Sequence, residues 1–100
     1  MKLLTKEIEK ALPPLGSTDG EGFSAKVVVK FFSPWGNWSW YATEGERRED
    51  GDVLFFGLVD GFEKELGYFS LNELAAVRGP NGLRIERDLY LGDHTLGDFR

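Results

Sequence analysis

The stretch Val53-Leu-Phe-Phe-Gly-Leu-Val-Asp-Gly-Phe-Glu-Lys-Glu-Leu-Gly-Tyr-Phe-Ser-Leu-Asn-Glu-Leu74 constrains the fold more than any other part of the chain. Two apolar, strand-prone runs meet at Asp60-Gly61. Asp-Gly between such runs predicts a hairpin, because glycine accepts positive φ without steric cost. The second run leads directly into Ser70-Leu-Asn-Glu73. That spacing predicts a capping box, in which the Ser70 hydroxyl and the Glu73 carboxylate each satisfy one orphan N–H at a helix start. The first run is apolar on both faces, with Val53, Phe55 and Val59 on one and Leu54, Phe56 and Leu58 on the other. A strand of that kind belongs in the middle of a sheet, covered on both sides.

The remaining segments are read as partners for this unit. Leu4 to Leu12 predicts a short helix capped by Thr5, with Leu4, Ile8 and Leu12 forming one stripe. Pro13-Pro14 ends it, since proline disfavours the helical region for the residue before it. Gly16 to Gly22 is small and polar, hence a loop. Ala25 to Ser33 is β-branched and aromatic and predicts a strand; Ser33 to Asn37 is a turn, and Trp38 to Glu44 a return strand. Period-two alternation places Trp38, Trp40 and Ala42 on one face and Ser39, Tyr41 and Thr43 on the other. Gly45 to Asp52 is charged and reads as a mobile tip. In Phe62 to Phe69, Phe62, Leu66 and Tyr68 share a face opposite Glu63, Glu65 and Phe69. The helix from Leu71 ends near Val77. Leu83 to Leu91 predicts a fifth strand at an edge, and Gly92 onward a polar tail. The expected architecture is α+β: an antiparallel meander of four to five strands with two short helices, in a single domain spanning 1–100.

Composition limits function. The chain has no Cys, so it forms neither disulfides nor thiolate metal sites, in keeping with a cytoplasmic protein. Met1-Lys2-Leu3-Leu4 is not followed by the apolar run of a signal peptide, and no run reaches the ~20 apolar residues of a membrane span. The formal net charge of −5 disfavours nucleic acid as a partner of the whole-molecule field, because phosphate contacts need a basic surface.

Four groups of residues are candidates for a site. His94 is the only histidine, so no paired-histidine metal site exists. Glu63 and Glu65, or Glu86 and Asp88, are the carboxylate pairs through which a metal-dependent enzyme would act. Arg78 and Arg87 are the groups that would grip a carboxylate or phosphate in a two-pronged contact. The aromatic cluster Trp35, Trp38, Trp40 and Tyr41, rimmed by Glu44, Glu46, Glu63 and Glu65, suits a protein partner best, since Trp and Tyr dominate interface hot spots. The alternative is an accessory protein that stacks bases on the aromatic strand and holds phosphates with arginines. No cofactor is expected. The reading is a non-enzymatic binding module, monomeric or weakly dimeric through an edge strand.

Leu4-Thr-Lys-Glu-Ile8, Val29-Lys-Phe-Phe32, Trp38-Ser-Trp-Tyr-Ala-Thr-Glu44, Gly61-Phe-Glu-Lys-Glu-Leu-Gly-Tyr-Phe-Ser70, Val77-Arg-Gly-Pro80 and Ile85-Glu-Arg-Asp88 resemble a family of small proteins classed as a domain of unknown function. That family is associated with phages, plasmids and integrative elements, often beside antirestriction and DNA-processing genes. It offers no catalytic residues to carry over. The resemblance implies a mobile-element context, in which small acidic proteins often inhibit host defence. The implied partner is a host defence or DNA-processing complex, and the implied role is of anti-CRISPR or antirestriction type.

Overall fold

The computed structural model describes residues 1–100. Its elements are α1 (Lys6–Ala11), β1 (Val29–Phe32), β2 (Ser39–Arg47), β3 (Val53–Asp60), β4 (Lys64–Ser70), α2 (Leu71–Ala76) and β5 (Glu86–Arg87). Single 3-10 turns lie at Gly22–Ser24, Pro80–Gly82 and Leu96–Asp98. The strands form one antiparallel sheet in the order β4-β3-β2-β1-β5. The first four are a meander, as expected of this α+β chain, and β5 returns after α2 to pair outside β1. β3 is interior, between β2 and β4.

Local chemistry starts both helices where the sequence says. Thr5 Oγ1 accepts from Ile8 N at 3.2 Å. Ser70 Oγ accepts from Glu73 N, and Glu73 Oε1 accepts from Ser70 N, both at 3.1 Å. Ser70→Ala leaves one of these donors without its partner and is expected to cost about 1 kcal/mol. A thermal melt should then show Tm lower by about 4–8 °C, and an unchanged Tm would contradict the cap's contribution.

Each face of the sheet carries its own core. Leu4 and Leu12 beside α1, and Leu74 of α2, pack with Val29, Phe31, Ala42, Val53, Phe55, Phe69 and Ile85. The Phe55 ring centre is 5.5 Å from that of Phe31 and 5.3 Å from that of Phe69. The opposite face holds Val27, Tyr41, Leu58 and Leu96, with Phe23, Leu91 and Phe99 packed against them. The residues after Gly92 therefore form no free tail. Leu96 N donates to Ala25 O at 3.0 Å and Val27 N to His94 O at 2.9 Å, and Leu96 is buried. A lone Leu and Phe among glycines and polar residues look like tail composition until the surface that they cover is known.

Three further expectations are corrected. Asp60 pairs with Lys64, so the hairpin loop is Gly61-Phe62-Glu63 rather than a two-residue turn. Gly61 does not have positive φ. Glycine is needed there because a Cβ would fall 2.3 Å from Trp38 Cζ3. The fifth strand is only Glu86–Arg87, since Pro80–Gly82 and Asp88–Tyr90 turn the chain on either side. The charged stretch after Glu44 is not a mobile tip: β2 continues to Arg47, and the turn beyond it is pinned to α2. Asp52 Oδ1 accepts from Val53 N at 2.7 Å and from Asn72 N at 2.9 Å. Burial pushes the Asp52 carboxyl up, but these N–H donors outweigh it and hold the pKa below the ordinary value.

A bulge between Ala42 and Glu44 changes which way β2 points its side chains. Alternation alone puts Glu44 with Trp40 and Ala42. With Thr43 as the extra residue, Glu44 instead pairs with Phe56 and Gly45 with Phe55. Gly45 then lies under Leu12, whose Cδ1 is 2.8 Å from where a Cβ would stand. The first core closes over the gap left by that missing side chain.

Candidate protein-binding surface

The aromatic residues singled out from the sequence divide between core and surface. Trp35 and Trp40 are half-buried against the helix-covered core. Tyr41 is buried, and the Phe99 ring stacks on it at 4.2 Å between centres. Lys30 Nζ lies 5.4 Å from the Tyr41 ring centre, closing the stack from one side. Tyr41 is thus removed from the expected contact surface, because the C-terminal residues cover its face of the sheet. Trp38 stays exposed, stacked on Trp40 at 5.8 Å and meeting Phe62 edge-on at 5.3 Å.

Glu44 is the second correction. It is 1% exposed, and its carboxylate accepts from Gly16 N at 2.7 Å, Thr18 N at 2.8 Å and the Thr18 hydroxyl. Burial pushes this carboxyl up, but the Thr18 hydroxyl and the Gly16 and Thr18 N–H groups outweigh it and hold its pKa below the usual value. The reason lies in the strand lengths. β1 pairs with Ser39 to Ala42 only, which leaves the rest of β2 with an open side. The chain after α1 crosses there: Gly45 N donates to Pro13 O at 3.0 Å, and Glu44 fastens the loop that follows. Glu44 is a structural anchor.

The other polar candidates lie apart from one another. Glu46 is exposed and pairs with Arg48 at 3.7 Å. Arg78 Nη1 donates to the carbonyls of Ala75 (2.7 Å) and Val77 (3.3 Å) at the end of α2. Arg87 Nη1 donates to the carbonyls of Lys2 (2.6 Å) and Leu3 (3.2 Å), fastening the N-terminus to β5. No three His, Cys, Asp or Glu side chains converge. On the helical side, an open groove of about 830 Å³ runs between Met1–Leu4, α2 and residues 82–86. The guanidinium groups on its rim are engaged within the protein, Arg47 by Glu9 at 2.7 Å and Arg84 by the Ala75 carbonyl at 2.8 Å.

Sequence reasoning missed one exposed apolar feature, the outer face of β3 and β4. The C-terminal segment and the Gly22–Ala25 segment are bonded to each other, and their core includes Tyr41 of β2 and Leu58 of β3. Beyond Leu58 the same face is bare. Leu66 is 46% and Tyr68 64% exposed, and Phe62 at the loop tip is 95% exposed. Leu54 and Phe56 are half-buried beside them, with the Phe56 and Tyr68 rings edge-to-face at 5.1 Å. β4 is also the edge of the sheet, without a neighbour on its outer side. Asp60, Glu63 and Glu65 border this region and form no ion pair. Lys64 turns its ammonium away, to Phe99 O at 2.9 Å. The signal was present as the shared face of Phe62, Leu66 and Tyr68, but alternation does not say which face the rest of the chain covers. Contiguous exposed apolar surface with a polar rim marks an interaction site.

No helix is long and apolar enough to cross a membrane. No curated protein and no solved structure matches the chain. One family model does, over residues 3–99, and its description is a protein of unknown function, DUF2958. The match takes in both helices, all five strands and the exposed β3–β4 face, and on that evidence the chain belongs to the DUF2958 family.

Proposed function

We propose that this protein is a binding module that docks on a partner protein through the bare face and tip of β3 and β4. Leu66 and Tyr68 make the central contacts on that face with Phe56 against Tyr68, Phe62 extends them at the tip, where it packs on Trp38, and Glu63 and Glu65 form the rim. The observation that carries this reading is the exposure of Leu66 and Tyr68 on one half of a sheet face whose other half is closed, with Phe62 exposed at the loop tip next to them. The module acts by occupying its partner, with no chemistry of its own. The family resemblance supplies the context: a mobile genetic element, with a host defence or nucleic-acid-processing complex as the partner to be inhibited or modulated.

The test is affinity capture from a bacterial host with the wild type, with Phe62→Ala plus Tyr68→Ala, and with Tyr90→Ala, an exposed aromatic far along the chain, as control. Loss of a central aromatic at an interface costs on the order of 2 kcal/mol per hot spot, which is about 30-fold in affinity. The double variant should therefore lose the partner that the control retains. Its melting curve should stay within a few degrees of the wild type, because both rings are exposed. Equal recovery by all three proteins would reject the surface.

A further inference from the structure

The direction of the β3 hydrogen bonds decides which main-chain groups of β4 face outward. Thr43 Oγ1 donates to Phe56 O at 3.3 Å, so that carbonyl points towards β2. In an antiparallel strand the N–H and C=O of one residue point to the same side, and the side alternates from residue to residue. Gly57 therefore turns to β4, where its partner is Gly67. A second path gives the same answer. Lys30 O accepts from Asp88 N at 2.9 Å, so Lys30 faces β5, its neighbour across the sheet Tyr41 faces β3, and Leu58 faces β2. Glu65, Gly67 and Phe69 are thus bonded inward. Leu66 and Tyr68 point their N–H and C=O groups out of the sheet, and neither takes part in any turn or loop hydrogen bond. The opposite edge is closed: β5 has two residues, and Arg87 N donates to Met1 Sδ at 3.1 Å.

We propose that β4 is an acceptor edge for an extended segment of a partner protein, which adds to the sheet as a sixth strand by bonding the main-chain groups of Leu66 and Tyr68. This rests on the protein-docking reading above and specifies its mode. Side chains set the chemistry of the incoming strand. On the bare face it meets Leu66 and Tyr68, so alternate residues are apolar. On the other face it meets Glu65, with Glu63 near the tip, neither in an ion pair, so the intervening residues are Lys or Arg. A second copy of this chain would bring Glu65 to that face again and no cation, since Lys64 lies on the opposite one. Main-chain bonds then supply affinity and the alternation supplies specificity.

Amide hydrogen exchange on the full chain tests this. In the free protein, Glu65, Gly67 and Phe69 amides should exchange slowly and Leu66 and Tyr68 amides fast. The probe is a synthetic peptide of alternating valine and lysine. At saturation it should slow the Leu66 and Tyr68 amides by about tenfold or more. The same peptide N-methylated at alternate residues should not, and Glu65→Lys should weaken binding by about tenfold. Slow Leu66 and Tyr68 amides in the free protein would overturn the proposal, as would binding without their protection or no binding at millimolar peptide. Sedimentation showing a dimer with those amides protected would also overturn it, in favour of self-pairing. If Phe62→Ala plus Tyr68→Ala loses the captured partner while the peptide gives no protection, docking stands and strand addition fails. If the peptide protects while capture is unaffected, the edge accepts strands and the docking reading fails.

Discussion

Phe55→Ala is expected to lower the unfolding free energy by about 3–5 kcal/mol. Phe55 is fully buried at the junction of β2, β3 and β4, with its ring between those of Phe31 and Phe69 and with Gly45 and Leu12 above it. Truncation there removes transfer free energy and leaves a cavity that three separate elements would have to close. Relative to a total stability of about 5–15 kcal/mol, that is a large fraction. Urea denaturation should show the loss as a lower midpoint with unchanged slope, and thermal melting as a fall on the order of 15–25 °C. Phe56→Ala, one residue along and half-exposed on the opposite face, should cost roughly 1 kcal/mol. Equal losses at the two positions would contradict the assignment of faces.

The second large effect is at Glu44. Glu44→Ala leaves the Gly16 and Thr18 N–H groups and the Thr18 hydroxyl without their acceptor and should cost about 2–4 kcal/mol. Glu44→Gln separates shape from charge through pH. The carboxyl titrates lower when folded than the ordinary unfolded value of about 4.3. As pH falls below that value, the unfolded chain takes up the proton first, so acid favours unfolding. The stabilisation from Glu44 is complete above the unfolded pKa and is lost as pH falls through the folded one. Glu9, lowered by its hydrogen bonds to Arg47, and Asp98, lowered by its bond to His94, act in the same direction. The wild type should therefore lose stability steeply below about pH 4.3, and Glu44→Gln should show a shallower slope in that window and a constant offset above it. Parallel pH profiles for the two proteins would refute the role given to this carboxylate.

Much of the local structure was legible because it depends on residues close in sequence. Thr5 and Ser70 cap helices within one turn, Pro13-Pro14 stops α1, and the apolar runs on either side of Asp60-Gly61 form β3 and β4. The pairing of β1 with β2 and of β3 with β4 follows from short connections. Legibility stopped where an outcome depended on a distant segment. Gly61 reads as a turn glycine, yet it is glycine because Trp38 lies over it. Tyr41 and Glu44 read as surface groups of an aromatic strand, yet Phe99 covers one and the loop at Gly16 and Thr18 encloses the other.

The sequence by itself determined where the two helices start, that the β1–β2 and β3–β4 hairpins form, which side chains of β3 and β4 share a face, and that an α+β sheet would result. These follow from caps, breakers and a period of two, whose energies act within a few residues. Tertiary structure alone decided that the C-terminal segment closes only half of the second face, that a bulge at Thr43 turns Glu44 inward, and that the β4 edge is left bare. The physical reason is that burial is a property of pairs. Whether Tyr41 or Tyr68 meets water depends on where Phe99 comes to rest, and no pattern around either tyrosine contains that information.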